Sequence, residues 1–364
     1  MPSLKKIVVQ NWRNIELQEL DFSPKVNCIS GNNGEGKTNL LDAIYYLSMT
    51  KSAFGPSDQY NFRHGCRSFA LAGNYCLEDG STMKISIQVE QNQEKKLVRD
   101  GKACSKMSEH IGLLPIVMIS PCDSALVSEG SEARRKFATS VLSQMDREYL
   151  SAMQRYNKLL AQRNASLKSS IPSFELLDAL DINLSRMADK IFQSRRDFAQ
   201  GLQPLVQSYY EKLSSGKESV GIEYVSDLHT AALYELLQNC RDKDSFLHYT
   251  SKGVQRDDFL FTMNGEPIRK TGSQGQQKCF LVALKFAQYE LMKLSYGFAP
   301  ALLLDDMFDK LDIQRTENLL QMVAGKDFGQ IFISDTNKAR LQGIVDKFTC
   351  ESSYFEAEGG VFKK

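Results

Sequence analysis

Short alternating apolar runs occupy the first 120 residues of the chain. Two early runs are typical of strands, and the second gives way to a glycine-rich segment and then to apolar positions at helical spacing. Later stretches alternate apolar and polar side chains as hairpin strands do, and an apolar run closed by proline predicts a buried strand. These segments are KIVVQNW (6–12), VNCIS (26–30), LLDAIYYLSM (40–49), MKISIQVEQN (83–92), KKLVRDGKAC (95–104) and LPIVMISP (114–121).

From about residue 132 the pattern changes to long amphipathic helices. Two glycine-poor runs, at 134–168 and 174–215, are separated by a break near SSIPS. We expect two helices of about 30 residues each, which at 1.5 Å per residue are about 45 Å long. This length predicts a helical lobe and not an extended coiled coil.

Strand patterns return in the last third of the chain. Apolar or alternating runs predict strands, a helix is expected at 313–324, and a Gly-Gly pair predicts a final hairpin turn. The strand segments are VGIEYVSD (220–227), DDFLFTMNG (257–265), APALLLDDMFDKLD (299–312), GQIFISDTN (329–337) and SSYFEAEGGVF (352–362). The pattern therefore predicts an α/β protein. Its sheet core, residues 1–120 plus 300–364, is interrupted by a helical lobe at 121–299.

Composition excludes several classes of protein. The chain is 42% hydrophobic and 24% charged, with eight scattered cysteines and no C-x-x-C pair. This favours a globular cytoplasmic protein with reduced thiols, without a signal peptide or membrane span. Net charge is only +1, but residues 131–200 hold twelve Lys/Arg against eight Asp/Glu. That span is either a basic binding surface or a solvated helical face.

The segment Gly31–Thr38, GNNGEGKT, fits the phosphate-binding pattern G-x-x-x-x-G-K-[ST] between a predicted strand and a predicted helix. Its glycines allow backbone N–H groups to point at phosphate oxygens, and the helix start adds its positive end. Lys37 would supply a charge at the β- and γ-phosphates, and the Thr38 hydroxyl would ligate Mg²⁺. The segment predicts a nucleoside triphosphate site with Mg²⁺.

A matching acidic strand follows at Ala301–Asp306, ALLLDD. Three leucines bury the strand, and the carboxylates come at its C-terminal end, where parallel α/β sheets bind ligands. We expect Asp305 to hold Mg²⁺ and Asp306 to orient or deprotonate the attacking water. With Lys37, these are the candidate catalytic residues.

Together with SQGQQ (273–277) and DKLD (309–312), these motifs resemble the ATP-binding cassette ATPases of chromosome maintenance, the group that includes the SMC and RecF proteins. The resemblance implies that a signature loop contacts the γ-phosphate of ATP held by a second subunit. Here Ser273 would donate its hydroxyl, and the Gly275 backbone would complete the site. Asp312 would face the partner's site, while Gln274, Gln276 and Gln277 either touch that nucleotide or brace the loop.

Within this group the chain is most similar to the RecF family, from about residue 5 to residue 336. NWRN (11–14), ISPCDSALVSEGSEARRKF (119–137), YNKLLAQRNASLK (156–168) and QRDDFLFTMNG (255–265) carry the likeness. The expected nucleotide-binding residues are Arg13, Asn14, Gly31, Asn32, Asn33, Gly34, Gly36, Lys37, Thr38, Asn39, Ser273, Gly275, Gln276 and Asp312.

Several positions depart from the family pattern. Cys122 replaces a glutamate, Thr139 replaces an aspartate, and Glu129-Gly130-Ser131 replaces G-S-P. Asp335 stands where many cassette ATPases have a switch histidine. These changes favour slow hydrolysis, with ATP used as a binding switch.

The resemblance implies an ATP-driven homodimer on double-stranded, single-stranded or gapped DNA that supports RecA loading with RecO and RecR. Candidate phosphate contacts are Arg155, Lys158 and Arg163, expected on one helical face, with Arg195 and Arg196 on the second helix. Each is either a DNA contact or part of a solvated helix face. The alternatives to this function are a related cassette ATPase of DNA defence and a P-loop kinase, although the chain has no acceptor-binding constellation for a kinase.

Overall fold

The computed structural model describes residues 2–55, 57–169, 173–214, 218–307, 328–345 and 351–364. Within them the chain divides into two compact units, one formed by 1–123, 212–215 and 285–364, the other by 124–211 and 216–284. The domain bounds expected from the sequence, near residues 120 and 300, stay a prediction.

The strands follow the early and late apolar runs. They are β1 (Ser3–Trp12), β2 (Ile15–Asp21), β3 (Val26–Ser30), β4 (Ser68–Cys76), β5 (Thr82–Glu90), β6 (Lys96–Arg99), β7 (Lys102–Ala103), β8 (Ile116–Ile119), β9 (Val220–Val225), β10 (Asp258–Met263), β11 (Glu266–Pro267), β12 (Ala301–Asp305), β13 (Ile331–Asp335), β14 (Ser352–Glu358) and β15 (Val361–Lys363).

The helices are concentrated in the middle of the chain. They are α1 (Lys37–Met49), α2 (Ala125–Ser128), α3 (Ser131–Met145), α4 (Arg147–Leu167), α5 (Phe174–Ser214), α6 (Leu233–Asn239), α7 (Arg241–Leu247), α8 (Ile268–Thr271), α9 (Gln274–Tyr296) and α10 (Lys338–Val345). The helix expected at 313–324 lies outside the described residues.

The first unit contains two sheets with different burial patterns. One is antiparallel, in the order β2-β1-β4-β5-β6-β7, and β5 alternates buried and exposed positions. The other has the order β15-β14-β3-β13-β12-β8, and its neighbours are parallel apart from the β14–β15 hairpin. Strands β3, β8 and β13 are buried at every residue, as parallel strands covered on both faces are.

Helix α1 packs between these sheets and contributes to the core of both. Leu40, Leu41 and Leu47 are fully buried on it. Trp12 of β1 meets Tyr46 of α1 and Phe69 of β4 edge to face, with centroids 5.1 and 4.8 Å apart. This aromatic cluster fixes α1, and therefore the loop that precedes it, against the antiparallel sheet.

The second unit combines the long helices with the sheet β11-β10-β9. The expected pair of 30-residue helices is wrong in detail. The first run divides into α3 and α4 at Asp146, and the second run is one 41-residue helix, α5, that contains Pro204. Asp146 has extended backbone, and its carboxylate accepts hydrogen bonds from the N–H groups of Glu148 and Tyr149. A side chain that caps the next helix ends the first one, since the same residue cannot continue α3.

We predict that Asp146→Ala lowers the free energy of unfolding by about 1 kcal/mol, because two N–H groups of α4 lose their cap. Asp146→Asn removes the same charge but keeps an acceptor, so it should lose much less. Urea unfolding followed by circular dichroism compares the two variants. Equal losses would show that the ion pair with Lys190 matters and the cap does not.

Candidate nucleotide-binding site

The carboxyl ends of the parallel strands bring the candidate motifs to one edge of the sheet. β3 leads into the glycine-rich loop, β12 ends at Asp305, and β13 ends at Asp335. In the register of the sheet, Asp305 lies beside Ser334, and Asp335 lies beside Ser30. The motifs at residues 31–38 and 301–306 therefore meet through the sheet and not through sequence proximity.

The loop before α1 has the backbone that a phosphate cradle requires. Gly36 is the N-cap of α1 with φ of 103°, and a β-carbon there would come within 2.8 Å of the Asn14 side chain. Glycine is therefore needed at this position for both backbone conformation and space. Among the described residues no side chain caps α1, so the N–H groups of its first turn remain for an anion.

Lys37 lies inside this loop and is 6% exposed. Its ammonium donates hydrogen bonds to the carbonyl oxygens of Gly31, at 2.6 Å, and Asn32, at 2.9 Å. Asn32, Asn33 and Gly34 at the crest of the loop are exposed. A compact, buried ammonium beside exposed backbone is an arrangement suited to a polyphosphate.

Thr38 and Asp305 are in direct contact. The Thr38 hydroxyl lies 3.0 and 2.9 Å from the two carboxylate oxygens of Asp305. Hydroxyl and carboxylate oxygens are the ligands that Mg²⁺ accepts, usually together with substrate phosphates. In the described part of the chain, no three acidic, histidine or cysteine side chains gather to hold a metal alone. This donor pair therefore fits a magnesium ion that shares its remaining ligands with a nucleotide.

Ser334 is a site residue that was not among those expected from the sequence. It is fully buried, and its hydroxyl donates to Asp305 at 2.6 Å while accepting from the backbone N–H of Asp306 at 3.1 Å. Its pairing with Asp305 depends on the order of strands in the folded sheet, which places β13 beside β12. Ser334 therefore holds the carboxylate of Asp305 and the backbone of Asp306.

Burial raises the pKa of Asp305, and the nearby charge of Asp306 raises it further. The hydrogen bonds from Ser334 and Thr38 and the charge of Lys37 act in the opposite direction. The pKa remains above its ordinary value, which means that the ionised carboxylate is held at a cost that a bound cation would offset.

Asp306 adopts a left-handed backbone with φ of 47°, which is uncommon for a residue with a side chain. Its Oδ1 is buried and receives no hydrogen bond from the described residues. A strained residue with an unpartnered carboxylate oxygen beside a metal-ligand pair is suited to accept a proton.

Asp335, at the position of the switch histidine, is 1% exposed. Its carboxylate accepts from the Asn337 backbone at 2.7 Å and pairs with Arg340 at 3.0 Å. The charge of Asp335 is therefore neutralised by Arg340 of α10.

Arg13, Asn14 and Asn39 form one network beside the loop. Arg13 pairs with the buried Asp42 at 2.6 Å and donates to Asn39 at 3.1 Å, and Asn39 donates to Asn14 at 2.7 Å. Burial raises the pKa of Asp42, and the Arg13 charge lowers it. Asp42 was not among the residues expected from the sequence, although an acidic residue within the apolar run LLDAI was a signal. These residues brace α1 against the turn between β1 and β2.

The signature segment begins α9 with a reciprocal cap. The Ser273 N–H donates to the Gln276 side chain at 2.8 Å, and the Gln276 N–H donates to the Ser273 hydroxyl at 3.3 Å. Gln276 also donates to Glu218 at 2.8 Å, and Gln277 donates to the Gly272 carbonyl at 2.8 Å. Two of the three glutamines therefore brace the loop, while Ser273 is exposed. Gly275 lies in the first turn, and Asp312 lies outside the described residues.

Two of the proposed DNA contacts are wrong. Arg163 is fully buried and pairs with Asp181 and Asp244 at 2.5 and 2.7 Å, because it faces inward with the buried Tyr156 and Leu167 of α4.

Arg195 is 1% exposed and pairs with Asp257 at 2.8 Å. Arg155 and Lys158 are exposed, and Arg196 is half-buried beside Asp197. Only these three remain candidates from the original set. The expected single face is also wrong, since Arg163 is buried whereas Arg155 and Lys158 are exposed.

Comparison with known proteins places the chain in a family. A family model described as the RecF/RecN/SMC N terminal domain matches residues 3–350. The DNA replication and repair protein RecF of Bacteroides thetaiotaomicron is 43% identical over 362 residues, which cover 99% of this chain and 98% of that protein. The RecF of Flavobacterium johnsoniae is 42% identical over 346 residues, 94% of this chain and 96% of that protein. The chain belongs to the RecF family.

Solved structures agree with this assignment. A structure of the recombination mediator protein RecF-ATP in the RecFOR pathway superposes with a TM-score of 0.90 at 29% identity, covering all of this chain and 97% of the other. An Smc head domain from Pyrococcus furiosus, at 15% identity and a TM-score of 0.59, shares the fold. The predicted α/β cassette-ATPase fold and the RecF resemblance are confirmed. The defence ATPase and kinase alternatives are not favoured.

We predict that Arg163→Met lowers the free energy of unfolding by about 3–5 kcal/mol, because, among the described residues, Asp244 is left buried without its cation and Asp181 keeps only Arg241. Lys158→Met, on the exposed face of the same helix, should change it by less than about 0.5 kcal/mol. Guanidinium unfolding measures both. A stable Arg163→Met protein that has lost only DNA binding would contradict the structural role of this arginine.

Proposed function

We propose that this chain is an ATP-binding DNA replication and repair protein in which ATP controls dimerisation on DNA. The contact between Thr38 and Asp305 carries the proposal, since it joins the phosphate loop to the acidic strand in one site. Membership in a family whose relatives are named for DNA replication and repair supports it. A family structure described with ATP supports the choice of nucleotide.

The proposed site binds Mg-ATP through this chain's own groups. Backbone N–H groups of residues 31–38 and the start of α1 would hold the phosphates, and Lys37 would place its charge among them. Thr38 and Asp305 would hold Mg²⁺, which when bound neutralises charge on the phosphates. Ser334 would keep Asp305 oriented, and Oδ1 of Asp306 would take a proton from the attacking water.

Hydrolysis at this site is proposed to be slow. A histidine at position 335 could donate a hydrogen bond to a γ-phosphate, whereas the carboxylate of Asp335 accepts hydrogen bonds and is already paired with Arg340. ATP would then act chiefly through binding, as a switch that favours one assembly state.

The signature loop is proposed to complete the site of a second molecule. Ser273 and Gly275 would contact the γ-phosphate held by the partner, and Asp312 would face the same site. ATP would favour a symmetric dimer because only the dimer contacts the phosphate from both sides. Loss of the γ-phosphate would remove that contact and release the DNA.

DNA contact is proposed through exposed basic side chains, among them Arg155, Lys158 and Arg196. Such contacts read phosphates, not sequence, so binding should weaken with salt. From the resemblance we further propose a cytoplasmic role on gapped DNA, with RecO and RecR as partners in loading RecA. No helix in the described ranges is long and apolar enough to cross a membrane.

We predict that Lys37→Ala weakens Mg-ATP binding at least about tenfold, because an ion-paired phosphate loses its cation. Lys25→Ala, at the opposite end of β3, is the matched control and should bind ATP as the unaltered protein does. Isothermal titration calorimetry measures both affinities. Unchanged binding by Lys37→Ala would place ATP elsewhere.

We also predict that Ser273→Arg leaves ATP binding by the monomer intact but abolishes the ATP-dependent dimer, since a bulky cation replaces the exposed hydroxyl. Ser81→Arg, at an exposed serine in the β4–β5 turn, should still dimerise. Sedimentation velocity with and without ATP distinguishes the two. Loss of ATP binding by the Ser273→Arg monomer would show that the loop serves its own subunit.

A further inference from the structure

The C-terminal hairpin turn lies directly against the phosphate-binding loop. Between β14 and β15, the N–H of Gly360 donates to the carbonyl of Glu35 at 3.0 Å. The N–H of Gly359 donates to the carboxylate of the same residue. Two consecutive N–H groups from one end of the chain therefore hold the fifth residue of a loop more than 300 positions away.

The fit between the hairpin and the loop is close. A β-carbon on Gly31 would come within 2.6 Å of the Ala357 carbonyl oxygen in β14. A β-carbon on Gly360, whose φ is 85°, would overlap the Asn14 carbonyl. The turn thus lies between the phosphate loop and the β1–β2 turn, and contact of this kind leaves the backbone little freedom.

The hairpin itself is fixed to both sheets of its unit. β14 pairs with β3 so that Glu356 lies beside Ser30, the residue before the loop. Phe362 of β15 is buried, and its N–H donates to the Gln18 side chain of β2 at 2.9 Å. A rigid support on both sides means that the turn can hold the loop and is not merely carried by it.

Glu35 is the residue through which the hairpin turn contacts the phosphate-binding loop. It is the only acidic residue in the segment GNNGEGKT, and a free carboxylate among incoming phosphates would oppose their binding. The turn occupies both its carbonyl and its carboxylate. The backbone N–H groups of the loop are thereby held in one arrangement.

We propose that the C-terminal hairpin turn is a positioning element for ATP, in which Gly359 and Gly360 fix Glu35 and thereby the conformation of the phosphate-binding loop. The inference rests on the proposed assignment of this loop to the ATP phosphates. Without the turn, the loop would have to be ordered when the nucleotide binds, and that ordering reduces affinity.

The first test compares two substitutions at one position. Glu35→Ala and Glu35→Gln remove the same charge, but only glutamine keeps an oxygen that accepts the Gly359 N–H. Glu35→Ala should bind Mg-ATP about three- to tenfold more weakly than Glu35→Gln, the range expected for one hydrogen bond. Titration calorimetry at fixed ionic strength gives both dissociation constants. Equal affinities would overturn the proposal.

The second test approaches the contact from the hairpin. Asparagine tolerates left-handed backbone, so Gly360→Asn is opposed chiefly by overlap with Asn14. Gly101→Asn, in the β6–β7 turn with φ of 78° and open space, is the matched control. Gly360→Asn should weaken ATP binding about fivefold, and Gly101→Asn should not. Equal affinities for these two would also contradict the proposal.

Hydrogen exchange separates positioning from general destabilisation. Without nucleotide, the amides of residues 31–37 should exchange faster in Glu35→Ala and Gly360→Asn, while those of β4 and β5 keep their protection. Equal acceleration in both regions would show that the turn stabilises the whole unit. If Lys37→Ala retains ATP binding, the site assignment fails. If Lys37→Ala loses binding but both comparisons show no difference, only the positioning role fails.

Discussion

A buried carboxylate at the end of a parallel strand is the constraint on which the site depends. Asp305 is 3% exposed, and its ionised form is stabilised by two hydroxyl groups from different elements, Thr38 of α1 and Ser334 of β13. Both can reach it only if the strand register is correct and α1 starts where it does. The aromatic packing of Trp12 and Tyr46 on α1 therefore supports the geometry of the candidate site from a distance. The core and the site are stabilised by the same contacts.

Much of the site was predictable because its signals are local. Glycines that permit an unusual backbone, a lysine at the start of a helix and carboxylates after an apolar strand are all contained in short segments. The same reasoning gave the α/β class, the final hairpin and the change from strands to helices near residue 130. Local pattern also misled, since a charged residue on an amphipathic helix is ordinarily exposed. Arg163 is buried instead, because the fold brings two carboxylates to it. These partners lie 18 and 81 residues away in the sequence, so no local pattern shows them.

The parts that sequence could not supply are long-range pairings. Ser334 reaches Asp305 across 29 residues, and Gly359 reaches Glu35 across 324. Neither separation in sequence can be read from a helical or strand period, since each is set by the order of strands in the folded sheet. The positions that determine how well the loop is ordered therefore include residues near the C-terminus that no motif marks. A family pattern finds the residues proposed to contact ATP more readily than it finds the residues that hold them in place.

The signature loop shows how one hydroxyl can serve two purposes. Ser273 accepts a hydrogen bond from the Gln276 N–H, and Gln276 in return accepts from the Ser273 backbone. An oxygen that accepts such a bond still has its own O–H to donate, and a γ-phosphate oxygen is an acceptor. The glutamines that brace the loop therefore leave Ser273 exposed and oriented, and within the described residues its O–H donates to no other group. Under the proposed composite site, rigidity inside one subunit is what allows it to detect the nucleotide of another.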